Sequence, residues 1–216
     1  MALKTANGMK SWTQWPREYR KREPQALEDF KAENEEEIGF WKFLQYEFSI
    51  QWKKLKAYAN ANNVQILGDI PIYVSADSVD AGWAVRCLSW MQTAALPGGW
   101  LPPDYFSADG QLWGNPLYNW PYHKQTGYAW WIQRVRHALG IYDLLRIDHF
   151  RGFDTYWAIP QTAPTAKTGQ VGDRPPDRSC STRWKVRWAS CPSSPRIWGS
   201  SSPVCGSCWQ TAPSRA

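Results

Sequence analysis

Two apolar segments, residues 64–74 and 141–150, constrain the fold of this chain most, because each has the length and composition of a buried strand. The connection between them contains residues 126–139, whose apolar side chains recur at helical spacing, with Thr126 as the predicted N-cap and Gly140 at the predicted end. A strand, a long connection containing a helix and a second strand form a βαβ pattern. We therefore predict an α/β fold with a parallel sheet.

A further helix is predicted near the N-terminus, over residues 25–60. Apolar residues recur within it three and four positions apart, which gives one apolar stripe along the helix. We predict that this stripe faces the core rather than lining an aromatic cofactor site. Its members are Trp41, Leu44, Phe48, Trp52 and Leu55.

Residues that could carry chemistry stand at the ends of the two predicted strands. Asp69 lies near the carboxyl end of the first, and Arg146 and Asp148 lie two positions apart in the second, so the latter two share a face. A neighbouring guanidinium favours the ionised form of a carboxylate, which leaves it available as a nucleophile. The same residues could instead form a helix cap and a structural ion pair, and His149 alone is more typical of a structural histidine.

Residues 102–120 are rich in Pro, Gly, Asn and aromatic side chains. Long irregular segments of this kind often carry function, and exposed aromatic rings suit stacking on sugar rings. The alternative is a loop that packs its own aromatic side chains as a lid.

The formal net charge of +6 does not indicate a nucleic-acid-binding protein, because it is concentrated at one end of the chain. Residues 171–216 contain seven basic and two acidic residues, a net charge of +5. No leader and no apolar run of about 18 residues is present, so we expect a cytoplasmic protein without membrane or nucleic-acid partners. Cys205 and Cys208 form a lone C-x-x-C pair, which favours neither a zinc site nor a disulfide framework.

Four motifs, in this order along the chain, resemble the amylomaltases, a family of bacterial 4-α-glucanotransferases. They are GDIPIYV (68–74), PPDYFS (102–107), GQLWGNPLY (110–118) and RIDHFRGF (146–153). The resemblance extends upstream through the predicted N-terminal helix and downstream to about residue 160. Several long motifs in family order make a chance likeness very improbable.

The resemblance implies part of a (β/α)8 barrel of the α-amylase superfamily, acting without a cofactor on maltooligosaccharides or α-1,4-glucan. Asp148 matches the family nucleophile that forms a covalent glycosyl-enzyme, Arg146 matches the arginine beside it, and Asp69 matches an aspartate that contacts the sugar at the cleavage site. Further residues match the substrate-binding parts of the family, namely the lid residues Tyr105, Phe106 and Ser107, the stacking residue Trp113, and Asn115 and His149.

The sequence departs from the family pattern in two places. Residues 171–216 contain no Leu, Phe, Tyr, Glu or Asn, and the family motifs Glu-Asp-Leu-Gly and His-Asp-Asn are absent. Codons regrouped by one base across residues 192–202 can encode Glu-Asp-Leu-Gly, which favours a frameshift there. A pair of compensating frameshifts around residues 82–100 would explain the other departure. We therefore expect residues 1–170 to be the central part of the barrel and residues 171–216 to be a disordered, strandless tail outside the family.

The second carboxylate of the catalytic pair would then be missing, so we expect an inactive member of the family. The alternatives are a glucan-binding remnant without catalysis and a non-functional pseudogene product.

Overall fold

The computed structural model of the chain describes residues 1–89, 98–101, 111–153, 156–160, 170–171 and 196–198. The chain divides into two compact units, one made of residues 1–64 and 77–83 and the other of residues 65–76 and 84–216. In the described part of the chain, none of the helices combines the length and the apolarity that a membrane span requires.

The first unit is helical. Its helices are α1 (Ala2–Ala6), α2 (Arg17–Lys21), α3 (Pro24–Glu33), α4 (Glu35–Ala61) and α5 (Val79–Trp83). The single helix predicted over residues 25–60 is therefore wrong in one respect, since Asn34 separates α3 from α4. The Asn34 side chain donates a hydrogen bond back to the Phe30 carbonyl at 3.0 Å, a local bond that competes with continuation of the helix.

The predicted burial of the α4 stripe is also wrong, because α4 contains no buried residue. Leu44, Phe48 and Leu55 expose 37%, 53% and 53% of their surfaces, and Trp41 and Trp52 are half-buried. Within its unit α4 packs on α1 and α3, which cover too little of a 27-residue helix to bury the stripe. The spacing of apolar residues shows which face of a helix could be buried, but it does not show that another element packs on that face.

The second unit contains the predicted βαβ pattern. Its elements are β1 (Leu67–Pro71), β2 (Gly98–Leu101), β3 (Gln111–Pro116), α6 (Trp120–Gln125), α7 (Ala129–Ile141), β4 (Leu144–Asp148), β5 (Trp157–Ile159), β6 (Gln170–Val171) and β7 (Arg196–Trp198). One sheet has the strand order β1-β4-β7 and is parallel. The other has the order β3-β2-β5-β6 and is antiparallel.

The core of the second unit lies between the parallel sheet and α7. Leu145 and Ile147 of β4 are fully buried, as are Trp131 and Val135 of α7. The sequence predicts one apolar face of that helix made of Trp131, Val135 and Leu139, and Leu139 is only half-buried. The predicted parallel pairing of the two apolar segments is confirmed, with Leu67 opposite Leu144 and Pro71 opposite Asp148.

The start of α7 differs from the prediction. Thr126 ends α6, since its hydroxyl donates to the carbonyls of Tyr122 and His123 at 3.0 and 3.2 Å. Tyr128, with a left-handed φ of 60°, precedes α7 instead, and Gly140 lies inside the helix. A threonine serves either end of a helix by local hydrogen bonds, so its presence alone does not say which end it caps.

Ordered structure occurs in both segments that were expected to lie outside the family pattern. Strand β7 lies in residues 171–216, for which no ordinary strand was expected, because Ile197 between Arg196 and Trp198 has good strand propensity and β4 offers a free edge. Cys87 and Leu88, in the suspected segment 82–100, are buried, and Leu88 pairs with Tyr118 in an isolated bridge. Apart from Val171, at the end of β6, the rest of residues 171–216 lies outside the described residues.

Candidate active site

The register of β1 and β4 builds the candidate site. Asp69 lies opposite Arg146, and Asp148 lies opposite Pro71 at the carboxyl end of the pair. Because side chains alternate along a strand and neighbouring strands are in register, Asp69, Arg146 and Asp148 share one face of the sheet. The opposite face of β4 carries the buried residues Leu145 and Ile147, so the charged face is the open one.

Arg146 bridges the two aspartates. One guanidinium nitrogen, Nη1, donates to Oδ2 of Asp69, and the other, Nη2, donates to Oδ1 of Asp148 at 2.5 Å. The side chains of Asp69 and Asp148 are 52% and 55% exposed, so each ion pair contributes about 1 kcal/mol or less to stability. The bridge therefore fixes the positions of two accessible carboxylates more than it stabilises the fold. The sequence predicted that Arg146 and Asp148 share a face, but not that Asp69 joins them.

The arrangement suits attack on an electrophilic carbon. An exposed carboxylate with one oxygen held by a guanidinium keeps the other available as a nucleophile. Retaining glycosyl transfer also needs a protonated carboxyl group about 5 to 5.5 Å from the nucleophile. The neighbouring strand β7 reads Arg-Ile-Trp and supplies no carboxylate. Among the described residues no group of His, Cys, Asp and Glu is arranged to hold a metal ion.

His149 lies in the turn that follows β4. Its φ of 52° is left-handed, a conformation that costs a non-glycine residue on the order of 1 kcal/mol. The Gly152 amide donates to the His149 carbonyl at 2.9 Å and closes the turn. The imidazole lies 6.2 Å from the ring of Tyr73, so the turn and the end of β1 contact each other.

Tyr73 is a residue of this region that the sequence did not single out. It follows β1, is 4% exposed, and its hydroxyl has no hydrogen-bond partner within the described part of the chain. Burial, and to a smaller extent the nearby Tyr156, raises the pKa of this phenol. A Cβ on Gly152 would come within 3.1 Å of the Tyr73 hydroxyl, so the two are close-packed. Its position in GDIPIYV was visible, but nothing in the pattern distinguished it from a core tyrosine.

No contact with the bridged aspartates is described for the remaining predicted substrate-binding residues. Trp113 and Asn115 belong to β3, in the antiparallel sheet, and Asn115 is half-buried. Tyr105, Phe106 and Ser107 lie outside the described residues. The structure thus joins Asp69, Arg146 and Asp148 by ion pairs, and the catalytic and substrate-binding roles of all the predicted site residues stay predictions.

Comparison with protein families gives a match over residues 1–191 to the family described as 4-alpha-glucanotransferase. The 4-alpha-glucanotransferase of Clostridium butyricum is 45% identical over 173 residues, which are 79% of this chain and 35% of that protein. That of Thermus thermophilus is 45% identical over 172 residues, or 79% of this chain and 34% of that protein. The chain spans about a third of the length of these relatives.

Solved structures give the same result. The amylomaltase from Streptococcus agalactiae in complex with acarbose has a TM-score of 0.87 and 36% identity, covering 96% of this chain and 42% of that one. The amylomaltase from Corynebacterium glutamicum, with a TM-score of 0.62 and 20% identity over 78% of this chain and 23% of that one, supports a likeness of fold.

Proposed function

Because the chain belongs to the 4-alpha-glucanotransferase family, we propose that it carries part of the catalytic centre of an enzyme that transfers α-1,4-glucan segments between maltooligosaccharides. The observation that carries the proposal is the Arg146 bridge between Asp69 and Asp148 at the carboxyl ends of adjacent parallel strands. The carboxyl ends of parallel strands form the active-site face of (β/α)8 barrels. The parallel order β1-β4-β7 is compatible with an incomplete barrel of this kind.

The proposed roles are those that the family resemblance implies, and the ion pairs of Arg146 are compatible with them. The free oxygen of Asp148 attacks the anomeric carbon, the glycosidic bond breaks, and a proton must reach the leaving oxygen. Arg146 holds Asp148 in position and compensates its charge before attack. Asp69, held by the same guanidinium, accepts hydrogen bonds from sugar hydroxyls beside the anomeric carbon. In the second half of the reaction, the 4-hydroxyl of an acceptor attacks the same carbon and loses its proton, and the bond between that carbon and Asp148 breaks, which restores the carboxylate.

We propose that this chain lacks the proton donor for the first step. No glutamate follows Glu47, and the acidic residues after Asp148 are Asp154, Asp173 and Asp177. None of these three belongs to the described residues. We propose that these 216 residues bind α-1,4-glucan through the bridged aspartates but do not transfer it. Resequencing the coding DNA tests the origin of the loss, since codons without an alternative frame encoding Glu-Asp-Leu-Gly would refute the frameshift.

Two measurements on the full chain test the proposal, with acarbose as the binding probe and maltotriose as the substrate. Calorimetry is expected to detect acarbose binding, and Asp69→Asn is expected to weaken it by about tenfold, since the neutral amide gives up the bridge and one acceptor. Asp80→Asn, which changes an aspartate of the first unit, is the control and should leave binding unchanged. Incubation with maltotriose is expected to release no glucose.

Glucose release that disappears in Asp148→Asn would overturn the proposed inactivity. Absence of acarbose binding in the unchanged chain would refute the proposed glucan site.

A further inference from the structure

Arg134 places its guanidinium at the carboxyl end of β1, where the chain leaves the strand through Pro71 and Ile72; this end is called the exit of β1 below. From α7, its Nη2 donates to the carbonyl of Pro71 at 2.7 Å and its Nη1 donates to the carbonyl of Ile72 at 2.9 Å. Pro71 is the last residue of β1 and pairs with Asp148, the last residue of β4. One side chain therefore holds two consecutive carbonyls at the level of the proposed nucleophile.

These carbonyls need donors because the sheet ladder ends at Pro71. Ile72 is 1% exposed, and a buried carbonyl without a partner is costly. The Tyr118 hydroxyl also donates to the Ile72 carbonyl, at 2.5 Å, and accepts from Arg134 at 3.4 Å. The planar fork of arginine can serve both carbonyls at once, whereas a lysine ammonium is a single point of charge.

The guanidinium is held from the other side by aromatic rings. Its central carbon lies 5.1 Å from the ring centroid of Trp131 and 5.4 Å from that of Trp130. Trp131 is fully buried, so the platform under Arg134 is part of the core. The position of Arg134 is thus determined by packing as well as by its hydrogen bonds.

We propose that Arg134 is a positioning residue for the bridged aspartates. Asp69 lies two residues before Pro71. Holding the carboxyl end of β1 in place therefore also determines the position along the strand at which Asp69 contacts Arg146. Without Arg134, the end of β1 would move relative to β4, and Arg146 could no longer hold both aspartates in the observed register. The consequence for glucan rests on the proposed function, whereas the coupling between Arg134 and Arg146 is independent of any ligand.

The first test measures the acarbose affinity of the full chain by calorimetry, at a temperature well below the thermal unfolding midpoint of every variant. Arg134→Met is expected to weaken binding by about tenfold or more, because small displacements of a binding group have large effects. Arg134→Lys is expected to recover part of the loss through its single donor. Arg136→Met, two positions along the same helix at an exposed site, is the control and should bind as the unchanged chain does. Wild-type affinity in Arg134→Met would overturn the positioning role.

The second test needs no ligand. Unfolding of Arg134→Met, Arg146→Met and the double variant is compared in urea, and the two effects are expected to be non-additive by about threefold or more in the unfolding equilibrium constant. The pair Arg136→Met and Arg146→Met should be additive. Additive effects for Arg134 and Arg146 would overturn the proposal even in a chain that binds acarbose. Non-additive effects in a chain that does not bind acarbose would support the positioning role and refute the glucan site.

Where Arg134→Met fails to fold, Tyr118→Phe removes one of the two donors to the Ile72 carbonyl and leaves Arg134 in place. It is expected to show the same non-additivity with Arg146→Met at smaller amplitude. Additivity in that pair would overturn the role assigned to the β1 exit.

Discussion

Gly68, next to Asp69 in β1, is the residue at which the backbone of the site has least room. A Cβ built on it would lie 2.0 Å from Cδ2 and 2.3 Å from Cγ of Tyr142. Because Cγ is close to the backbone of Tyr142, the ring must turn away as a whole. We expect Gly68→Ala to lower the free energy of unfolding by about 1 to 3 kcal/mol in urea titration, as overpacked cores do.

Gly140 is the matched control for that substitution, because a Cβ there would meet no atom within 4 Å. It lies inside α7, where alanine has the higher helix propensity. Gly140→Ala is expected to raise the free energy of unfolding by about 0.5 to 1 kcal/mol. Equal stability of Gly68→Ala and the unchanged chain would show that Tyr142 does not cover Gly68 in solution.

His123 links folding to pH. It is fully buried, its Nε2 lies 3.0 Å from the Cys87 carbonyl, and its Nδ1 has no hydrogen-bond partner within the described part of the chain. Burial lowers the pKa of this imidazole to about 4, against a weaker opposing effect of the Cys87 carbonyl. The folded state therefore disfavours the proton that the unfolded chain binds near pH 6.5.

Stability from the neutral form of His123 should be complete above about pH 6.5 and lost as the pH falls towards 4. The expected slope is about 1.4 kcal/mol per pH unit in that window, on the order of 3 kcal/mol in all. Urea titrations of the unchanged chain and His123→Gln, taken across this range, isolate the contribution by difference. His137→Gln, at an exposed position, should keep the wild-type slope. A wild-type slope in His123→Gln would contradict the assignment.

At the scale of elements, local patterns were sufficient to predict the βαβ unit, but they did not predict the residues at which its strands and helix begin and end. The strand predicted over residues 64–74 is shorter as observed, Leu67–Pro71, because its flanks leave the ladder with β4. The face of α7 was predictable because Trp131 and Val135 repeat at helical spacing. Its start was not, because Thr126 found carbonyl acceptors in α6.

The candidate site was likewise predictable where it depends on a local pattern, and not where it depends on contacts between distant segments. That Arg146 and Asp148 share a face follows from alternation within one strand. The contact of Arg146 with Asp69 depends on the register between two strands whose paired residues lie 77 positions apart in the sequence, which no local pattern contains. The contacts of Arg134 and Tyr118 with the exit of β1 could not be predicted for the same reason, because both side chains bind backbone carbonyls more than 40 residues away in the sequence.

At the scale of the whole molecule, the chain spans about a third of its curated relatives and leaves apolar surface uncovered. Helix α4 exposes several large side chains, including Phe43 at 56% and Tyr58 at 71%. Soluble proteins seldom expose contiguous apolar patches larger than a few hundred Å² without a binding role. The burial of α4 could not be predicted from its period, because the period is a property of the helix and burial is a property of what packs on it.

Phe43 allows this exposure to be measured. Phe43→Glu is expected to change the free energy of unfolding by no more than about 0.5 kcal/mol, because the ring already lies in water and glutamate suits a helix. Phe30→Ala is the contrast: Phe30 is 7% exposed and packs edge-on against Tyr19 at 5.7 Å, so its loss should cost about 3 to 5 kcal/mol. Urea titrations at two protein concentrations separate intrinsic stability from self-association. A large loss in Phe43→Glu that grows with concentration would mean that a second copy covers α4, and a concentration-independent loss would mean that the chain itself covers it.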